Sequence, residues 1–135
     1  MVKPLVHVVI VEDHLPTQQR ICHMLERQGF QVSPFRDGAS GLQFAQSSPP
    51  HLVITDLDLP GMHGFQLMAA LRSMPATCEV PILVCSGTQD ALSRRLAQSY
   101  GIMGYVHKPF SDGQLLQMVS QTLEGQSVSP AGLRV

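Results

Sequence analysis

The chain has 135 residues, 44% of them hydrophobic, and nine Lys and Arg against ten Asp and Glu give a formal net charge of −1. That length fits one domain with no room for a second catalytic one, and the balanced charge, with basic residues scattered from Arg20 to Arg95, argues against direct binding to nucleic acid. Cys22, Cys78 and Cys85 form an odd set without CxxC spacing, which signals neither a disulfide framework nor a zinc site and suits a reducing cytoplasm.

The first apolar run, Leu5 to Val11, is rich in valine and lacks period-two polarity, as expected of a central strand covered on both faces. It meets Glu12 and Asp13 too soon for a signal peptide or a membrane span, so a cytoplasmic chain with no membrane partner is expected. Ile21, Cys22, Met24 and Leu25 then recur at helical spacing, which predicts a helix over 15–28 with Gly29 at its C-cap. Phe30 to Phe35 reads as a second strand, and Pro34 confines it to an outer position.

Asp37 and Gly38 close that strand ahead of a short helix through Ala39, Leu42, Phe44 and Ala45, ending before Ser47. His51 to Asp56 is a buried strand, and Leu57 to Gly64 is too rich in turn formers to continue it. A third helix over 65–73, a strand over 81–85, a helix over 89–100, a strand over 102–107 and a last helix over 111–123 complete the series. The six histidines, His7, His14, His23, His51, His63 and His107, show no recurrent ligand spacing and read as structural or solvent-facing.

Five strands alternating with five helices predict an α/β doubly wound fold of flavodoxin-like (βα)5 type, with a parallel sheet of order 2-1-3-4-5. The domain is expected to run over 1–124, with 125–135 as a C-terminal tail or linker. Sites in such sheets lie beyond the carboxyl ends of the strands, where the order reverses. Glu12 and Asp13 end the first strand there, and Asp56 ends its neighbour, the third. Carboxylates crowded at one rim repel unless protonated or bridged by a cation, and hard oxygen donors suit Mg2+. Ser86 ends the fourth strand and Lys108 the fifth, adding a hydroxyl and a mobile positive charge. Together these groups describe an oxyanion site suited to phosphoryl transfer onto Asp56.

With those residues in hand, the stretch from Leu5 to about Leu123 resembles the CheY-like receiver domain of two-component response regulators. The resemblance is carried by Val9-Ile10-Val11-Glu12-Asp13, by Val53-Ile54-Thr55-Asp56-Leu57-Asp58-Leu59-Pro60-Gly61-Met62 and by His107-Lys108-Pro109-Phe110. It implies a signalling domain rather than an enzyme, with Asp56 as phosphoacceptor. It further implies Mg2+ held by Asp13, Asp56 and the backbone carbonyl of Asp58, with Glu12 acting through a metal-bound water, and phosphoryl oxygens paired with Lys108 and Ser86. Ser86 and Tyr105 fall at the family's switch positions. Phosphorylation would draw the hydroxyl inward, let the aromatic ring follow, and remodel the face built from the fourth helix, fifth strand and fifth helix.

The implied partners are a sensor histidine kinase or a histidine phosphotransfer protein, an output domain or downstream protein on that face, and a possible second copy in a homodimer. Glu12 stands where aspartate is commoner, Gly87 where alanine is common, and Asp58 and Thr88 occupy positions that tune acyl phosphate lifetime in the family. Three alternatives compete. A haloacid-dehalogenase-like phosphatase would use Asp56-Leu57-Asp58, although that motif belongs on a first strand. A flavodoxin-like nucleotide binder would need glycine or hydroxyl residues where Glu12 to Pro16 stand. A receiver that is never phosphorylated would bind partners only.

Overall fold

The carboxyl end of a parallel sheet is positioned by its inner strands, and β1 (His7–Val11), which leads into Glu12 and Asp13, is one of them, buried from Val8 onward. A computed structural model describes residues 5–127. After β1 come α1 (Leu15–Glu26), β2 (Gln31–Phe35), α2 (Gly38–Ser47), β3 (Leu52–Thr55), α3 (Gly64–Ser73), β4 (Ile82–Ser86), α4 (Ala91–Ser99), β5 (Gly104–His107) and α5 (Asp112–Ser127). The strands form one sheet in the order β2-β1-β3-β4-β5, each pair parallel, as expected.

Alternate strand residues feed two cores, one on each side of the sheet, which is why the strands show no polar alternation. Val8, Ile10, Ile54, Leu83 and Val106 pack with Ile21 and Leu25 of α1 and Leu115 and Val119 of α5. Val9, Val11, Val53, Ile82 and Val84 pack with Ala45 of α2, Leu67, Met68 and Leu71 of α3, and Ala97 of α4. Full burial of each large aliphatic side chain contributes roughly 1.5–3 kcal/mol, so both layers are needed to hold the sheet ends still.

β2 is an edge strand, and Pro34 stands there without loss. Gln31 N donates to Val6 O and Phe35 O accepts from Glu12 N, so residues 31, 33 and 35 face β1 while the nitrogen of Pro34 faces the open edge. Gly29 turns the chain after α1 at φ +92°, with Arg27 rather than Gly29 as the cap itself.

Several boundaries move for identifiable reasons. α4 starts at Ala91 rather than 89 because the Asp90 carboxylate accepts from the backbone N–H groups of Leu92 and Ser93 and fixes the first turn there. Ser86 is the last residue of β4, not the residue after it, and Asp56 stands one position beyond β3. α5 spans Asp112–Ser127 rather than the expected 111–123, and the rest of the expected tail, 128–135, lies outside the described residues. Among the described residues, no helix is long and apolar enough to cross a membrane.

Candidate functional site

Val11 and Thr55 are register partners across β1 and β3, so the next residues, Glu12 and Asp56, leave the sheet side by side. Both are buried. Two neighbouring carboxylates in such a place need a counter-charge, and Lys108 supplies it from the far side of β4. Its backbone N–H is anchored on the carbonyl of Ser86 at 2.9 Å. Its side chain then crosses the end of β4, placing Nζ 2.6 Å from Glu12 Oε1 and 2.9 Å from Asp56 Oδ2.

Each carboxylate is completed in the same way, with one oxygen on the ammonium and the other on backbone N–H. Asp56 Oδ1 accepts from Leu57 N at 2.6 Å and more weakly from Asp58 N at 3.3 Å, while Glu12 Oε2 accepts from His14 N at 3.0 Å. Burial alone would pull the Lys108 pKa down, but the hydrogen bonds to Asp56 and Glu12 and their charges outweigh it, and the ammonium is held above its ordinary value.

One positive charge does not neutralise the rim, because Asp13 adds a third carboxylate. Ligand oxygens of Glu12, Asp13 and Asp56 lie within 4.8 Å of one another. Three hard, anionic oxygen donors at that spacing fit a small divalent cation. The Asp58 carboxylate is not in this group; only its backbone is turned inward, toward Asp56.

Gly64, the first residue of α3, is what lets the loop after Asp56 close. A Cβ there would lie 2.5 Å from the Asp56 carbonyl oxygen and 2.7 Å from Leu57 Cα, so only glycine permits this approach.

The remaining expected residues gather on the β4 side. Ser86 is fully buried, and its Oγ accepts from Thr88 N at 3.2 Å. Tyr105 already lies inward, 9% exposed, with its hydroxyl donating to the Thr88 carbonyl at 2.8 Å. Burial pushes its phenol up, partly offset by a hydrogen bond with Ser86 and by Arg94, whose guanidinium sits 5.0 Å above the ring. Ser86 and Tyr105 therefore both meet Thr88, in the loop between β4 and α4.

Three side chains support the site without having been expected in it: Gln18, Arg36 and His63, the last expected only to be structural or solvent-facing. Gln18, a polar residue on the buried face of α1, donates to the carbonyls of Glu12 and Phe35, each at 3.1 Å, and its place in the apolar period was the available signal. Arg36 holds the Asp13 carbonyl through two N–H groups at 3.3 and 3.1 Å, and His63 caps α3 through Nδ1 on Phe65 N. The Arg36 contact is not written in local spacing, whereas His63 and Gln66, three residues apart at the start of α3, have the spacing of a capping box.

With this geometry established, residues 8–120 match the family model described as "Response regulator receiver domain". The chain is 26% identical to Protein PilH of Pseudomonas aeruginosa over 118 residues, covering 87% of this chain and 98% of PilH. It is 32% identical over 117 residues to the TorCAD operon transcriptional regulatory protein TorR of Escherichia coli O157:H7, covering 87% of this chain and half of TorR. Among solved structures, the chemotaxis response regulator CheY4 of Vibrio cholerae superposes with a TM-score of 0.83 at 26% identity, covering 88% of this chain and 99% of that one.

Proposed function

The chain belongs to the response regulator receiver domain family, and from that membership we propose that Asp56 is its phosphoacceptor, loaded from the phosphohistidine of a sensor kinase or phosphotransfer protein. One observation carries the assignment. Asp56 and Glu12 both join the three-acid cluster to Lys108, and of the two it is Asp56, one position beyond the middle strand β3, whose other oxygen is fixed by two backbone N–H groups, those of Leu57 and Asp58, where Glu12 has one.

In the transfer, a carboxylate oxygen of Asp56 attacks phosphorus. The bond from phosphorus to the donor's imidazole nitrogen breaks, its electron pair leaves with the imidazole, and the product is a mixed carboxylic–phosphoric anhydride. Glu12, Asp13 and Asp56, with the Asp58 carbonyl, would hold Mg2+, which when bound offsets the negative charge of the rim and of the incoming phosphoryl group.

Lys108 contributes by exchange. Its ammonium pairs with carboxylate oxygens at rest and is long enough to re-pair with a phosphoryl oxygen, which costs little because one anion replaces another. The Leu57 and Asp58 N–H groups keep Asp56 Oδ1 oriented, so the carboxylate does not have to reorganise in the transition state. Ser86 offers the second phosphoryl contact, and its withdrawal from Tyr105 and Thr88 would release the loop before α4.

The output is read on the face made by α4, β5 and α5, where Leu92 and Leu96 of α4 and Met103 just before β5 are exposed. The occupant of that face would be an output domain, a downstream protein or a second copy. Incubation with acetyl phosphate or phosphoramidate and Mg2+, followed by intact mass, should show one added phosphoryl group. Asp56→Asn should abolish it, and so should a chelator. Addition that survives Asp56→Asn would move the acceptor elsewhere.

A further inference from the structure

The loop after β3 carries a carboxylate that the phosphoacceptor chemistry does not use. Asp58 starts next to the acceptor, since its backbone N–H donates to Asp56 Oδ1 at 3.3 Å. Its side chain, 72% exposed, goes elsewhere. Oδ2 accepts from Thr88 Oγ1 at 3.3 Å, and Oδ1 lies 4.0 Å from His63 Nε2. The carboxylate is thus drawn between the β4–α4 loop on one side and the first turn of α3 on the other.

His63 is unusually well fixed for an exposed ring. Its Nδ1 accepts from Phe65 N at 3.2 Å, its backbone N–H donates to Gln66 Oε1 at 2.8 Å, and the ring lies 5.0 Å from that of Phe65. Because Nδ1 is used as an acceptor, the ring proton sits on Nε2, the atom that faces Asp58. The positive end of the N–H dipole is therefore presented to the carboxylate without the ring having to be charged.

We propose that His63 is a positioning residue that, with Thr88, holds the Asp58 carboxylate aside from Asp56 and keeps the mouth of the acceptor open to anionic phosphodonors. The inference rests on Asp56 being the acceptor and adds a role for His63, which that reading leaves idle. The physical need is plain. The rim already holds three carboxylates, and a fourth, attached to the residue whose amide touches Asp56, would repel each arriving phosphoryl donor if it were free to swing inward. The pair is exposed, so the effect is modest, about two- to fivefold in rate.

The test is a double-mutant cycle read by the initial rate of phosphorylation with acetyl phosphate and Mg2+. His63→Asn keeps a side chain that caps helices well but is too short to reach Asp58. It should leave the melting temperature within about 2 °C of wild type and slow phosphorylation about two- to fivefold. His63→Asp, which also caps, should slow it further. In an Asp58→Asn background, His63→Asn should have no effect, because there is no carboxylate left to position. A wild-type rate in His63→Asn, or a loss that persists undiminished beside Asp58→Asn, overturns the proposal. A wild-type protein that takes no phosphoryl group overturns the acceptor reading, and this one with it.

Discussion

Two cations cross the lower-dielectric parts of this domain, and they are satisfied in opposite ways. Lys108 Nζ meets carboxylates, Glu12 at 2.6 Å and Asp56 at 2.9 Å. Arg72, near the end of α3, meets only carbonyl oxygens. Its Nε donates to Tyr100 O at 2.8 Å, one terminal nitrogen to Cys78 O and Val80 O at 3.1 and 2.7 Å, and the other to Gly101 O at 3.3 Å. The difference separates a site from a brace. An ammonium among carboxylates can trade one anion for another when a phosphoryl group arrives, whereas a guanidinium fork on fixed backbone dipoles has nothing to trade.

The position of Arg72 shows what it braces. Tyr100 and Gly101 follow α4, where the last carbonyls of a helix carry partial negative charge and favour a cation. Cys78 and Val80 precede β4. One side chain therefore ties α3, the approach to β4 and the carboxyl end of α4 together. α4 has otherwise only Ala97 fully buried, so it is held at that end and lightly packed toward its start. Ser86, at the end of β4, and the loop of Gly87 and Thr88 lead into that lightly packed start, which is where the proposed phosphorylation would act.

The sharpest way to break this comparison is to remove each cation and ask what is lost. Lys108→Met should leave a folded protein and lower the rate of phosphorylation by acetyl phosphate about 100-fold, as loss of a transition-state charge contact typically does. Quantified intact mass over time checks this, and a rate within a factor of a few of wild type would take Lys108 out of the transfer.

The converse substitution should reverse the pattern. Arg72→Met leaves up to four carbonyls without their donor, some of which regain water, and should cost about 3 kcal/mol in urea unfolding. Molecules that remain folded should still be phosphorylated at nearly the wild-type rate. Arg72→Lys should recover less than half of the loss, because one ammonium cannot match the fork. Loss of phosphorylation without loss of stability would mean that the brace belongs to the site after all.

This contrast also explains what could be read from the sequence. Lys108, Asp56, Glu12 and Asp13 each stand at the end of an apolar run, and strand ends in a doubly wound sheet share one rim, so their meeting follows from periodicity and topology alone. Ser86 followed by the same logic, shifted by one residue. Arg72 carries no such mark. It sits in a helical pattern as any solvated arginine would, and its acceptors are backbone atoms of residues 6 to 29 positions away. The same holds for Arg36 on the Asp13 carbonyl and for Gly64, whose need for a missing Cβ arises from the return of α3 onto Asp56. Backbone acceptors have no side-chain signature, so contacts made to them appear only in three dimensions. Asp90 was different: an aspartate ahead of an apolar helix is a cap signal, and it locates the start of α4 two residues later than the hydrophobic pattern does.

The smallest expected effect is in pH dependence, and it separates the two cations in the intact fold. Lys108 is held above its ordinary value of 10.5 because the hydrogen bonds and charges of Asp56 and Glu12 overcome its burial. A lysine whose folded pKa is raised contributes stability that is fully present below the unfolded pKa and is lost as pH rises through the folded one. Other groups titrate in the same range, so the useful quantity is the stability of wild type minus that of Lys108→Met. That difference should be flat up to about pH 10 and shrink as pH rises past the unfolded lysine value of about 10.5 and on through the folded one. For Arg72→Met the difference should stay constant over the same window. Burial lowers the Arg72 pKa, yet a guanidinium starting so high keeps its proton there. Urea midpoints at a series of pH values measure both differences. A Lys108 difference that does not shrink would mean that the ammonium gains nothing from its two carboxylates, and the line between site and brace would have to be drawn on geometry alone.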